Sequence, residues 1–246
     1  MQYHNGSNTL VVCLKWGSKY SAEYVNRLYR GVRRFAAPSV RFVCITEDDR
    51  GIDSGVEIVP LPDVGLSGWW NKLLLFRKDF LGQAGTALFL DLDVVIVRGV
   101  MDFFAFAPGE FCIAQDPKDR YNSSVFRFEL NALTHVWDNF QCDQAAIVRR
   151  LHGDQDWIVE QVKDAKLWPR SWVSSYKYDC ASRIRPSLDK VGAWLRMTPL
   201  HRLWKPSVPP TEARVVMFHG QPKPADVAYK PWGRWRAAPW VKDYWV

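Results

Sequence analysis

Apolar and polar positions along the chain fall into short runs that predict alternating strands and helices. Thr9-Leu10-Val11-Val12-Cys13-Leu14 is a continuous apolar run, the pattern of a strand buried on both faces. A polar loop, Lys15 to Tyr20, follows. Ser21 then reads as the N-cap of a helix to about Phe35, with inward positions near Tyr24, Val25, Leu28 and Val32. Val40 to Thr46 predicts a second strand, with Glu47-Asp48-Asp49 at its carboxyl end, and Val56 to Leu61 a short third. Trp69 to Arg77 predicts a helix that delivers the chain to the longest apolar run, Thr86 to Val97. Strand, helix, strand, strand, helix, strand is the order of a wound α/β fold, a mostly parallel central sheet flanked by helices.

The second half has a different texture. Phe111 to Ala114 reads as a short strand, and Asn122-Ser123-Ser124 stands before another that ends near Phe128. Residues 131–151 read as helical, and His152-Gly153-Asp154-Gln155-Asp156-Trp157 opens a short helix in which early acidic residues suit the exposed N–H groups. From Trp168 the chain is rich in Trp, Pro and basic residues, with Arg214 to Phe218 as a late strand. No repeat, low-complexity run or clear linker interrupts it, so a single domain over residues 1–246 is expected.

The chemistry concentrates in the longest run. Asp91 and Asp93 break an otherwise apolar, β-branched stretch. Side chains two apart on a strand point the same way, so both carboxylates are expected on one face with Leu92 on the other. Like charges in apolar surroundings are costly unless a cation lies between them, and replacing one by Asn is expected to relieve repulsion. The carboxyl ends of strands in open α/β sheets are where ligands bind.

Charge and composition narrow the partners. The 246 residues carry a formal charge of +7, which fits an anionic partner such as a nucleotide, a phosphorylated lipid or a membrane surface. No nucleic-acid reading motif is present, and nucleic acid is not expected as a partner. The five cysteines are widely spaced, the pattern of reduced buried thiols and not of a zinc site or disulfide framework. No signal peptide or spanning apolar run is visible, so a cytoplasmic location is expected, with peripheral contact at the inner membrane face left open.

Four polar groups stand at strand ends or helix starts: Asp91 with Asp93, Asn122-Ser123-Ser124, Asp154-Gln155-Asp156, and His219-Gly220-Gln221-Pro222-Lys223-Pro224. In this order the chain resembles the metal-dependent GT-A-fold glycosyltransferases, most closely the family 8 (glycogenin-like and bacterial galactosyltransferase-like) group, over roughly residues 9–225. The resemblance implies a Rossmann-like GT-A sheet, with residues 9–110 as the nucleotide-binding half and 111–225 as the sugar and acceptor half. It implies transfer of a sugar from a nucleotide-diphosphate sugar, a UDP-sugar foremost, to a saccharide or lipid-linked acceptor, with retention of configuration, as in polysaccharide biosynthesis.

Asp91, Asp93 and His219 are then the expected ligands of Mn²⁺ or Mg²⁺, a cation that stabilises a departing diphosphate. Asp154, Gln155 and Asp156 are the expected catalytic and positioning residues. Lys15, Trp16, Tyr20, Lys72, Asn122, Ser123, Gly220 and Lys223 are the expected donor-binding set. One departure from the family pattern bears on His219: aligned on Gly220 and Lys223, the family's histidine position falls on Met217. A shift of two residues on a strand restores the facing.

Two rival readings stay open. Haloacid-dehalogenase-like phosphatases also end a strand in Asp-x-Asp, with the first Asp as nucleophile. They carry it at the start of the chain, and the position where their last acidic residue falls is here Ile158. A non-catalytic nucleotide-sugar-binding homologue is the other. The tail, residues 226–246, mixes Trp and Tyr with Lys and Arg, including Arg234. It fits either an aromatic lid over the core or a surface that docks at a membrane interface.

Overall fold

The computed structural model describes residues 8–116, 120–180, 206–233 and 235–246. Arg234 of the tail therefore lies outside the described residues. The chain divides into two compact units, Met1–Leu92 with Val100–Trp168, and Asp93–Gly99 with Pro169–Val246.

The first unit is built on a seven-stranded sheet. Strand β1 (Thr9–Lys15) pairs in parallel with β2 (Arg41–Thr46) on one side and β4 (Thr86–Leu90) on the other, and β2 pairs in parallel with β3 (Glu57–Pro60). Beyond β4 the sheet turns antiparallel through β7 (Tyr121–Glu129) and β6 (Cys112–Gln115), and β8 (Lys166–Leu167) closes the edge in parallel with β6. Residues Leu10 to Cys13 and Ala87 to Leu90 are completely or almost completely buried, which explains their unbroken apolar sequence. Helix α1 (Ala22–Phe35) lays Val25, Leu28 and Val32 on the core as its spacing predicts. Ser21 occupies the N-cap position, although its side chain makes no capping bond.

Two elements differ from expectation, and a third is specified in type. The helix expected over Trp69–Arg77 is a 3₁₀ helix, Gly68–Phe76. All of Trp70 to Phe76 is buried there, including the polar Asn71 and Lys72. The helical stretch 131–151 is two helices, α3 (Thr134–Cys142) and α4 (Gln144–Arg150), parted at Asp143, whose carboxylate accepts from the Ala146 amide and starts α4. Asn122-Ser123-Ser124 lies inside β7 and not before it. Helix α5 (Asp154–Gln161) begins where the acidic residues predict.

The most consequential difference is in the long apolar run. It is divided between two sheets: β4 ends at Leu90, and β5 (Val94–Ile96) belongs to the second unit. The amide of Asp91 still donates to Ser124 O at 2.9 Å, the last rung beside β4, whereas Asp93 O accepts from the Phe218 amide at 3.1 Å. The expected common facing of the two carboxylates on one strand is thereby corrected, because the chain turns through Leu92 and Asp93 and period-two alternation ends there.

In the second unit β5 pairs antiparallel with β10 (Val215–Met217), which pairs in parallel with β9 (Val173–Ser175). A π-helical turn, Tyr176–Cys180, follows β9, and Tyr176 stacks on Phe218 with ring centroids 4.6 Å apart. Two short helices, α6 (Pro224–Val227) and α7 (Val241–Tyr244), lie in the tail region. Among the described residues no helix is long and apolar enough to cross a membrane. All five cysteines are free thiols; Cys142 is exposed and the other four are buried.

Candidate functional site

In the first unit, five of the residues expected from sequence come together around one ammonium group. Lys72 stands in the 3₁₀ helix with its side chain drawn into the core. Its Nζ is 2.8 Å from Asp91 Oδ1 and 4.0 Å from Asp154 Oδ2. It donates to Ser123 O at 3.2 Å and to Ser123 Oγ at 3.5 Å, and lies 5.0 Å from the centre of the Phe89 ring. Gln155 Oε1 accepts from the Ser123 amide at 3.4 Å. Strand β4 delivers Asp91 at its carboxyl end, β7 delivers Ser123, and the first turn of α5 delivers Asp154 and Gln155.

Burial makes this arrangement electrostatically demanding. A buried lysine keeps its proton only where anions and acceptors replace water. Phe89 belongs to a ring cluster, with Phe126 stacked on it at 4.9 Å and Phe76 stacked on Phe126 at 6.0 Å, which keeps the floor dry. Asp154 is almost fully buried, and burial raises its carboxyl above the ordinary range, opposed chiefly by the Lys72 charge. Its Oδ2 makes no hydrogen bond among the described residues and has Lys72 as its charge partner.

Two neighbours of this cluster act differently. Asn122 turns its Oδ1 to the Ser124 amide at 2.9 Å. Asp156 Oδ2 accepts from the His152 amide at 3.1 Å, so it fastens the loop ahead of α5 and does not touch Lys72. Trp69, one 3₁₀ turn before Lys72, donates its Nε1–H to His152 O at 3.0 Å.

The first-loop residues sit at the carboxyl ends of β1 and β2. Lys15 is buried and donates to Asp48 O at 3.0 Å, and the Gly17 amide bonds Glu47 Oε1. Gly17 has φ +55°, the left-handed conformation that favours glycine in this tight loop. Trp16 packs partly buried against the core beside Gly68, and Tyr20 lies on Tyr24 at 4.8 Å. Lys15 is thus placed by the last position of β1, and Trp16 and Tyr20 by the β1–α1 loop.

The second unit holds Asp93, His219, Gly220 and Lys223. Lys223 Nζ bonds Asp93 Oδ2 and reaches Phe218 O at 3.5 Å. Its amide donates to Asp226 Oδ2 at 2.7 Å, which starts α6. His219 Nε2 is 3.3 Å from Ser175 Oγ, and Gly220, at φ +66°, turns the chain close to Lys177. Met217, the family's histidine position, is buried inside β10 and pairs with Val94 and Ser175, while His219 stands beyond the strand end and is only half-buried.

Sequence reasoning missed Ser175 and Arg127. Ser175 is buried next to His219, and the only sign of it is a polar pair, Ser174-Ser175, inside a short buried strand. Arg127 is completely buried and donates to Phe103 O at 2.8 Å and Glu110 O at 2.9 Å, so its charge is spent on backbone carbonyls around α2 (Asp102–Ala105).

Asp91 and Asp93 each already hold a positive charge, and carboxylate oxygens suit a hard ion. Among the described residues, no group of three or more His, Cys, Asp or Glu is gathered closely enough to hold a metal. Each carboxylate suits such an ion by its chemistry, and in this structure each is paired with a lysine.

No protein-family model matches the chain, and no curated protein matches it. Solved structures do. The glycosyltransferase GlyE of Streptococcus pneumoniae TIGR4 is similar with a TM-score of 0.60 and 11% identity, over 96% of this chain and 60% of that one. The galactosyltransferase LgtC, solved with donor and acceptor sugar analogues, is similar with a TM-score of 0.55 and 14% identity, over 88% of this chain and 89% of that one. The bifunctional glycosyltransferase WbbM is similar with a TM-score of 0.54 and 12% identity, over 92% of this chain and 48% of that one. The chain thus spans about 60% of GlyE and about half of WbbM. At these identities the likeness establishes the fold, which is that of the GT-A-type glycosyltransferases.

Proposed function

We propose that this chain is a glycosyltransferase that moves a sugar from a nucleotide-diphosphate sugar, a UDP-sugar, to a saccharide or lipid-linked acceptor with retention of configuration. The observation that carries the reading is the gathering of Lys72, Asp91, Ser123, Asp154 and Gln155 at the carboxyl end of β4, in a GT-A-type fold. A haloacid-dehalogenase phosphatase needs its first Asp free to attack phosphorus. Here Asp91 follows about ninety residues of α/β structure, and Ile158 stands where that family's last acidic residue falls.

Glycosyl transfer asks for two things: charge to receive a departing diphosphate, and contacts that place the anomeric carbon. Asp91 and Asp93 are the proposed carboxylate ligands of Mn²⁺ or Mg²⁺, with His219 as the third ligand inferred from the sequence pattern. Such a cation, when bound, neutralises charge on the leaving diphosphate. Lys72 is a fixed ammonium in a dry setting, where electrostatic interactions are stronger than in water. Lys223 hangs on a turn and is proposed to move from Asp93 to a phosphate oxygen. Asp154 Oδ2, lacking a hydrogen bond, is proposed to accept from a sugar hydroxyl, and Gln155 to offer its amide nitrogen to another, while its oxygen stays on Ser123. Asn122 and Ser123 border the same sugar site. Lys15, Trp16 and Tyr20 are proposed for the base and ribose, and Gly220 for the turn that aims Lys223. The exposed part of the tail is proposed as a peripheral membrane contact from the cytoplasmic side.

The test is a panel of nucleotide sugars scored for thermal stabilisation and for Mn²⁺-dependent donor hydrolysis. A stabilising donor that is hydrolysed with Mn²⁺ and spared with EDTA is expected. Stabilisation without turnover under any acceptor supports a binding protein instead. Release of phosphate from p-nitrophenyl phosphate, blocked by beryllium fluoride, supports the phosphatase.

A further inference from the structure

We infer that Trp69 is a stacking platform for a pyranose ring of the acceptor, one ring outward from the Lys72 cluster. The inference rests on the glycosyl-transfer reading for the sugar's role as acceptor; the platform itself rests on geometry.

A 3₁₀ helix has three residues per turn, so side chains at i and i+3 stand in one row. In Gly68–Phe76 that row is Trp69, Lys72 and Leu75, and its exposure falls from 50% through 8% to 3%. It runs from solvent, through the charged cluster, into the core. With a rise of about 2 Å per residue, Trp69 lies about 6 Å along the axis from Lys72, close to the length of one pyranose ring. A donor sugar held by Asp154 and Gln155 belongs at the level of Lys72. The next sugar outward belongs at the level of Trp69.

The indole is held and not merely exposed. Its one polar group is used internally, donated to His152 O at 3.0 Å. Gly153 makes the approach feasible: a Cβ there would stand 2.6 Å from Trp69 Nε1 and 2.7 Å from its Cδ1, closer than any real contact. The glycine is extended at φ 179°, so its role is space and not backbone freedom. The same loop leads directly into Asp154 and Gln155. Trp70, its neighbour, is buried and stacked on Phe140 at 5.5 Å, which anchors the helix from the other side. The half of the indole left exposed is apolar carbon, since its one polar atom is bonded inward.

That surface suits the C–H face of a sugar. Pyranose C–H bonds carry partial positive charge and fit the ring's negative face. A side chain already fixed loses little entropy on binding. The ligand's hydroxyl edge would meet polar neighbours, because His152 is exposed and Asp156 only half-buried beside the indole. Galactosides present an especially wide C–H face, at positions 3, 4 and 5, and are the first probe.

The test uses the full chain and saturation-transfer-difference NMR with methyl β-D-galactopyranoside and methyl β-D-glucopyranoside. Saturation centred on H3, H4 and H5 of the galactoside is expected, with affinity falling about tenfold in Trp69→Ala and little changed in Trp69→Phe. If Trp69→Ala does not fold, Trp69→Gln serves, since its amide can keep the bond to His152 O while the ring face is gone. No saturation by either glycoside in the wild type, or equal affinity in a folded Trp69→Gln, overturns the platform. Donor hydrolysis by the wild type reports separately on the functional reading. Failure there with intact Trp69-dependent saturation leaves a sugar site and removes the transfer.

Discussion

The two carboxylates that stand two residues apart in the sequence are served by lysines of very different construction. In the first unit Lys72 comes from a buried nine-residue helix and is surrounded by Asp91, two atoms of Ser123, Asp154 and the Phe89 ring. In the second unit Lys223 comes from the turn His219-Gly220-Gln221-Pro222 and meets Asp93 and, at 3.5 Å, Phe218 O. One ammonium is a fixed part of a core. The other starts a short helix, with Asp226 accepting from its amide, and its ammonium is paired with Asp93. The difference teaches that one pairing of residue types can be built from a buried helix or from a turn that starts one.

The largest effect expected from this contrast is that of Lys72→Met. Removing the cation leaves Asp91 and buried Asp154 uncompensated, and breaking a buried pair from one side costs about 3–5 kcal/mol. Lys223→Met should cost less, about 1–2 kcal/mol. Urea denaturation of both variants measures the gap, and equal losses would break the contrast. The pH dependence has a definite sign. Asp154 has its carboxyl raised by burial, so its contribution is full below the unfolded carboxylate range and is lost as pH rises through the raised value. Without Lys72 this loss grows, so the deficit of Lys72→Met against wild type should shrink as pH is lowered from 8 towards 5.

Next in size are the carboxylates themselves. Asp91→Asn and Asp93→Asn should each lower transfer by about a hundredfold or more, as loss of a group that holds charge at the reacting centre does. Their stabilities should diverge. Repulsion between adjacent carboxylates, argued from sequence, predicts a gain on neutralising either one. With a lysine on each, the sign reverses, and Asp91→Asn should lose about 1–3 kcal/mol as Lys72 gives up a charged partner at 2.8 Å. Asp93→Asn should lose less. A stabilised Asp91→Asn variant in a denaturation series would show that repulsion wins after all.

Much of the first unit was legible because its physics is local. Unbroken apolar runs marked β1, β2 and β4, and Ser21 with the spacing of Val25, Leu28 and Val32 marked α1. The end of β4 was visible in Asp91 and Asp93, but the division of the run between two sheets was not. Val94–Ile96 is as apolar as Thr86–Leu90, and only pairing with β10, about 120 residues later, decides its sheet. The Lys72 cluster was half legible: each member was a candidate, yet nothing in Trp69–Arg77 distinguishes a 3₁₀ from an α-helix. That choice sets which residues share a row. The backbone role of Asp156 and the carbonyl cage of Arg127 depend on loops whose course no pattern announces.

The smallest effect, and the one that sharpens the contrast at the far end of the second unit, concerns the tail. Its aromatics divide into two sets. Trp240, Val241 and Trp245 are buried, and the Trp240 ring lies 6.1 Å from Phe218. Tyr229 and Trp232 are 80% and 41% exposed, and the Lys242 ammonium sits 5.1 Å from the Tyr229 ring. The buried set makes the tail a lid: Trp240→Ala should cost about 3–5 kcal/mol. Replacing the exposed pair, Tyr229→Ser with Trp232→Ser, should change stability by no more than about 0.5 kcal/mol per site. That near-silence makes the double variant a clean probe of membrane contact. Aromatic rings and a nearby cation suit the headgroup region of an anionic bilayer. Co-sedimentation with phosphatidylserine-containing vesicles at low salt should be seen for the wild type, fall as salt is added, and drop in the double variant. Wild-type protein that stays in the supernatant, or a double variant that sediments equally well, would leave the tail as a lid alone.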